Sequence, residues 1–206
     1  MKNAETPVMK IVLLGAISSL GSALMAEMLR RQHEVIAILD DLNALAPRPG
    51  LRTKVGSLFD ADRLCESIAG SSVVICVLDA RVFPGDSDRA RHAVDLEPTE
   101  HLDATQLLLS CMERMGIKRL ILIDDFTNLN EAEPLSAALL QSPLDWTLIN
   151  APQGVAGLTI EHFSQISTSL EPGLAPPLER LARVAAGIAD ELTLNLHKRE
   201  VVNFVV

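Results

Sequence analysis

The chain has 206 residues, 48% of them hydrophobic, and 18 Lys and Arg against 27 Asp and Glu give it a net charge of −9. That length suits one domain with a sizeable core, while the acidic balance and the lack of any Lys/Arg cluster argue against a nucleic-acid surface. No apolar run reaches membrane-spanning length, and three scattered cysteines, Cys65, Cys76 and Cys111, with no CxxC pair, argue against a disulfide framework or zinc site and fit a reducing cytoplasm.

Residues 1–8 hold no signal-type apolar core and read as a flexible tail ahead of a single domain, 9–206. "KIVLLG" (10–15) is a continuous, branched apolar run ended by glycine, the pattern of a strand buried on both faces. Ser19 to Arg31 reads as a helix with Leu20, Ala23, Leu24 and Leu29 on its apolar side. "HEVIAIL" (33–39) is a second buried strand and "RTKVGSL" (52–58) a short third one. Asp60 to Gly70 reads as a helix, with Asp60 as N-cap and Gly70 as the stop.

"SSVVICVL" (71–78) is the fourth strand. A polar loop follows over 79–98, then a long helix from Thr99 to Met115 closed by Gly116. "KRLILID" (118–124) is strand five, Pro134 to Gln141 a short helix, and "DWTLIN" (145–150) strand six. Residues 151–177 read as a loop. The last helix, 177–192, carries Leu178, Leu181, Ala182, Ala185, Ile188, Ala189 and Leu192 on one stripe, and "EVVNFVV" (200–206) is a final strand. Alternating strands and helices predict a doubly wound, mostly parallel sheet in three α/β/α layers.

Ligands of such sheets sit outside the carboxyl ends of the strands, where strand order reverses. The first loop there is "GAISSLG" (15–21). Gly15 allows a tight turn, and Gly21 lets helix and strand pack closely. The helix start has no acid before Glu27, so its free N–H groups and positive dipole end can face an external anion such as pyrophosphate. The plain alternative is that Ser18 or Ser19 simply caps the helix. About 20 residues on, Asp40 and Asp41 end strand two, where a carboxylate would meet an adenosine ribose and repel a 2′-phosphate. A solvated strand end is the plain alternative for them.

With those residues placed, the chain resembles the atypical short-chain dehydrogenase/reductase family, in the NAD(P)H-binding branch of NmrA-like proteins and NADH-flavin reductases. "KIVLLGAISSLG", "RQHEV", "GSLFDADRLCESIAGSSVVICVL", "MGIKRLILID" and "SPLDWTLINAP" carry the resemblance across nearly the whole chain. It implies a Rossmann-like fold, and a dinucleotide site at Gly15, Ile17, Ser18, Ser19, Leu20, Gly21, Asp40, Asp41, Ser57, Leu58, Leu78 and Asp79. The departures are as telling. The branch's GATG reads Gly15-Ala16-Ile17-Ser18, its usual arginine after strand two is Asp40, which favours NAD over NADP, and the aspartate of its "GD" pair is Ser57. The wider family's Tyr-x-x-x-Lys pair is missing, and the chain has no tyrosine at all.

The resemblance therefore implies a small-molecule NAD(P) reductase without the usual acid. The rival is a non-catalytic, dinucleotide-sensing or protein-interaction protein. Asp79, Arg81, Phe83, Asp124, Asp125, Phe126, Asn150 and Gln153 are expected around the mouth of the sheet, and Phe83, Phe126 and Phe163 could line a flavin slot or merely anchor loops. Of Asp124 and Asp125, one is expected to face the cleft and the other to cap a turn. Surface or helix-face roles are expected for His92, His101 and His162, and a solvated loop for Arg81, Arg89 and Arg91. No residue set has metal-ligand spacing. A monomer fits, as does a homodimer through helix 99–115, unless that helix turns all its apolar residues to the sheet.

Overall fold

The computed structural model describes residues 7–78, 98–126, 132–151, 157–164 and 173–204. Seven strands form one parallel sheet: β1 (Lys10–Leu14), β2 (Glu34–Leu39), β3 (Leu51–Val55), β4 (Val73–Val77), β5 (Arg119–Asp124), β6 (Asp145–Asn150) and β7 (Glu200–Asn203), in the order β3-β2-β1-β4-β5-β6-β7. Strand order reverses between β1 and β4, so the first loop lies at the switch point. The helices are α1 (Ser19–Arg30), α2 (Ala61–Ile68), α3 (Pro98–Met115), α4 (Glu133–Gln141), α5 (Ile160–Ser164) and α6 (Ala175–Leu194).

The inner strands β1, β2, β4, β5 and β6 bury both faces, which is why they read as unbroken apolar runs, while the edge strands β3 and β7 hold no fully buried residue. Ile11, Leu13, Val35, Ala37, Ile75, Ile121 and Ile123 meet α1 and α6 through Leu20, Leu24, Leu181, Ala185, Ile188 and Leu192. Val12, Leu14, Val74, Cys76, Leu120 and Leu122 meet α2, α3 and α4 through Leu64, Ile68, Leu108, Met112, Leu135 and Leu139. Asp60 accepts from the Arg63 amide as the N-cap of α2, and Gly70 and Gly116 take φ of 72° and 71° after α2 and α3, as their positions in the sequence predict. Glu27 on α1 is buried; burial opposes its charge, but hydrogen bonds and charge from Arg30 and Arg31 hold its carboxyl below the usual range.

Two expectations need correction. The stretch 151–177 is not all loop: α5 forms within it and packs on α1. Five residues are too few for a helical periodicity to show. Cys65 and Cys111 are joined by a disulfide between α2 and α3, with a Cα–Cα separation of 5.0 Å, while Cys76 is free and buried. Each of the pair sits on the apolar face of its own helix, and only the packing of the two helices brings them together. Helix α3 turns Ala104, Leu108, Cys111 and Met112 inward. Among the described residues no helix is long and apolar enough to cross a membrane.

Candidate functional site

The chain leaves β1 through Gly15 at φ 77°, and a Cβ there would come within 2.6 Å of the Val77 carbonyl on β4. Gly21, three residues into the loop's helical side, faces the Gly15 carbonyl so closely that any Cβ would overlap it. Both glycines are demanded by backbone packing at the switch point.

The serines between them are turned to the protein. Ser18 is the N-cap of α1: its Oγ accepts from the Gly21 amide at 2.9 Å and donates to the Gly15 carbonyl at 2.9 Å. It is only 3% exposed, so its Cβ does not stand on the outer surface of the loop. Ser19 Oγ accepts from the Leu158 amide at 3.0 Å, tying the first loop to the segment after β6, and Ser22 Oγ donates to the Ala16 carbonyl at 3.4 Å. The capping alternative for Ser18 is therefore what forms.

The first turn of α1 keeps its electrostatic bias. It holds no acidic side chain, and the cap uses only the Gly21 amide of the first three. The amides of Ser19 and Leu20 have no protein acceptor among the described residues. Ile17, at the apex, is 42% exposed. An anion meeting this turn would find backbone donors and the positive end of the helix dipole.

The two acids after β2 differ. Asp41 Oδ1 accepts from the Asn43 amide at 2.9 Å and its side-chain amide at 3.0 Å, capping a 3-10 turn over Leu42–Ala44. Asp40 is exposed one residue past β2. Ser57 Oγ accepts from the Phe59 amide at 3.2 Å, and Leu58 packs against the α2–α3 side of the core. Leu78 is buried and donates its amide to the Ile123 carbonyl at 2.9 Å. Asp79, Arg81, Phe83, Arg89, Arg91, His92 and Gln153 lie outside the described residues, as do residues 1–6 of the expected tail.

Strand register assembles the rest of the mouth. Val77 pairs with Ile123 and Asp124 with Asn150, so Gly15, Leu78, Asp124 and Asn150 follow one another along the carboxyl edge. Asn150 Oδ1 accepts from the Phe126 amide at 2.9 Å and its Nδ2 donates to Asn203 Oδ1 at 3.1 Å. Phe126 is 8% exposed and belongs to the core as a loop anchor. Phe163, on α5, lines a cavity of ≈ 540 Å³ with Ala23, Glu27 and Arg48 along the flank of α1, away from the mouth. A slot lined by Phe126 and Phe163 together does not form.

The unexpected contact is between α3 and β5. Asp124 turns inward, 3% exposed. Its Oδ2 lies 2.8 Å from His101 Nδ1, and its Oδ1 accepts from the Asp125 amide at 2.8 Å. Asp124 thus faces a histidine rather than open cleft, and of the surface or helix-face roles expected for His101 the structure shows the second: it lies on α3 with its side chain 15% exposed. His162 keeps the expected role, accepting from the Thr159 amide at the start of α5. Burial, with Asp124's charge added, pushes the nearby Cys76 thiol far above its ordinary range, so that thiol is inert.

Residues 15–155 match a family model described as NAD(P)H-binding. No curated protein matches the sequence. Among solved structures, the oxidoreductase ylbE from Lactococcus lactis is 13% identical with a TM-score of 0.61, covering 95% of this chain and 90% of its own. A short-chain dehydrogenase/reductase from Veillonella parvula is 13% identical, TM-score 0.62, covering 96% and 94%. The Bordetella bronchiseptica enzyme WbmG, solved in complex with NAD, is 16% identical, TM-score 0.62, covering 96% and 73%. At these identities the structures establish the shared Rossmann-like fold.

Proposed function

The chain belongs to the NAD(P)H-binding family, whose model spans 15–155, and from that premise we propose that it binds a nicotinamide dinucleotide across the switch point and acts as an NAD(P)H-dependent reductase. The observation that carries this is the first turn of α1, acid-free, with Ser19 and Leu20 amides that no acceptor among the described residues uses, beside the Gly15–Gly21 contact. The residues fit the group, because Ser18 folds back into the loop and leaves the outer face of the turn clear. Gly15, Ile17, Ser18, Ser19, Leu20 and Gly21 would surround the pyrophosphate, with Ser18 acting through the cap. Asp40 would take the ribose, with Asp41 holding the turn behind it. Ser57 and Leu58 would flank the adenine, and Leu78 and Asp79 would support the far half.

When bound, the reduced dinucleotide supplies a hydride. Asp40, exposed at the end of β2, favours NAD, since its carboxylate accepts from ribose hydroxyls and repels a 2′-phosphate. Cytoplasmic placement rests on the odd cysteine count, and the Cys65–Cys111 bond weighs against it.

Oxidation of NADH with FMN or a quinone as acceptor tests the reductase reading; turnover with either supports it. Binding without turnover over a broad acceptor panel favours the sensor reading, which the absence of tyrosine makes the natural rival. The NAD preference has its own test: Asp40→Arg raises NADP affinity relative to NAD if Asp40 meets the ribose, and leaves the ratio unchanged if it does not.

A further inference from the structure

We propose that the cavity of ≈ 540 Å³ along the flank of α1 is a second ligand site, built for an apolar monocarboxylate: an acyl or planar aromatic body carrying one carboxylate. It lies away from the mouth of the sheet and stands independently of the dinucleotide reading.

The sequence of α1 shapes it. Ala23, Ala26, Glu27 and Arg30 line the cavity, and a spacing of i, i+3, i+4 and i+7 puts them on one face of the helix. Small residues hold the first half of that face and charged residues the second. From Ala23 to Arg30 the helix rises about 10 Å, the reach of an extended medium-chain acid.

Packing supplies the walls. Phe163 on α5 and Ala182 on α6 extend the apolar part, and Ala26, Leu29 and Phe163 are only partly buried against the core. Because residues 23 and 26 are alanines, no large side chain of α1 fills the space at those positions. Arg48 enters from the connection between β2 and β3, where a Cβ on Gly50 would meet the Leu29 side chain. The volume falls within the ~300–1,000 Å³ range of small-molecule sites. Covering a wet apolar wall is favourable.

Charge decides the class of ligand. The lining carries two guanidiniums, Arg30 and Arg48, against one carboxylate, Glu27. That carboxylate is saturated. Its Oε1 accepts from Arg30 Nη2 and Arg31 Nε, each at 2.7 Å, and its Oε2 accepts from Arg30 Nε at 2.8 Å. Arg30 is exposed, and its Nη1 meets no acceptor among the described residues. Arg48 is held in place, with Nη2 donating to Glu161 Oε1 at 2.6 Å and Nη1 to Ser164 Oγ at 3.3 Å. The acids that pair with Arg48 and Arg31, Glu161 and Asp190, are not among the lining residues and stand exposed, where such pairing is worth little. A guanidinium fork suits a carboxylate. The cavity therefore has an apolar end and a cationic end, a match for one carboxylate on an apolar body.

The test titrates the full chain calorimetrically with decanoate and with 2-naphthoate, using 1-decanol as the neutral control. One acid per chain is expected, with a Kd at or below ~100 μM and decanol at least ~10-fold weaker. The tighter of the two acids identifies the body as acyl or planar. The bound acid should shift the methyl resonances of Ala23, Ala26 and Ala182 and leave those of Ile17 and Leu78, at the mouth, unmoved. Ala182→Phe, at an exposed position, sets a ring in the cavity and should weaken the acids by at least ~10-fold. Arg30→Gln should weaken the acids about 10-fold and leave decanol unchanged. Binding of both acids weaker than millimolar overturns the proposal, as does decanol binding as tightly as decanoate. So do shifts at the mouth in place of the flank, or wild-type affinity in either variant. Should Ala182→Phe not fold, Ala26→Leu is judged by the same criterion.

Discussion

The Gly21 backbone lies directly against the Gly15 carbonyl, with no room between them for a single carbon, and Ala16 Cα stands 3.0 Å from where a Cβ on Gly21 would be. The obstacles are backbone atoms, which cannot swing aside. Gly21→Ala therefore has to move α1 away from β1 or break the loop. We expect it to destabilise the fold by at least the ~1–3 kcal/mol typical of overpacking. Equilibrium urea unfolding checks this. A midpoint equal to wild type would show that the loop is looser than described.

Ser18 makes the contrasting prediction. Its hydroxyl serves Gly21 and Gly15, and the residue sits at φ −67°, where no glycine is needed. Ser18→Ala should cost about 1 kcal/mol of stability and Ser18→Gly only a few tenths. Because the side chain is turned inward, neither should change dinucleotide affinity by more than about 3-fold beyond its effect on folding. A large gain in affinity on Ser18→Gly would mean that the Cβ does obstruct the phosphates.

The bond between Cys65 and Cys111 closes a sequence separation of 46 residues. By chain entropy such a crosslink stabilises a fold by about 4 kcal/mol. Alkylation of the denatured, unreduced protein should modify one thiol of the three, Cys76, and reduction should release two more. Cys111→Ser should lower the urea midpoint in unreduced protein and leave it nearly unchanged against reduced wild type. Three reactive thiols without reductant would show that the bond does not form where the protein was made, and would fit a reducing compartment.

His33 supplies a pH dependence. It is 2% exposed, its Nδ1 accepts from the Met9 amide at 3.3 Å, and its buried Nε2 has no hydrogen-bond partner among the described residues. Burial, then the charge of Arg31, holds its pKa below the ordinary value. The unfolded chain thus takes up a proton near pH ~6.5 that the folded chain refuses. Stability should be intact above that pH and should fall as the pH drops from there toward the folded-state pKa. His33→Gln should flatten that decline. Equal slopes in the two proteins would place the acid sensitivity elsewhere.

Much of the fold was legible because buried parallel strands write themselves as unbroken branched runs, as in "KIVLL" and "VVICV", and because Asp60, Gly70 and Gly116 mark helix ends by local chemistry. The glycine roles at 15 and 21 were legible for the same reason. Contacts set by the relative phase of two elements were not. His101 and Asp124 are 23 residues apart, and their meeting depends on which side of α3 faces β5. Cys65 and Cys111 each read as a small apolar residue until α2 and α3 pack. Ser18 was recognisable as a cap or a ligand residue, but only its hydrogen bonds show which way it turns.

Calorimetric titration of NAD, NADH, NADP and NADPH into the purified chain tests dinucleotide binding most directly. We predict one dinucleotide per chain, NADH bound more tightly than NADPH, and a fold stabilised by about 2.7 kcal/mol at 100 times the Kd. No heat of binding and no gain in stability with any of the four at millimolar concentration would contradict it.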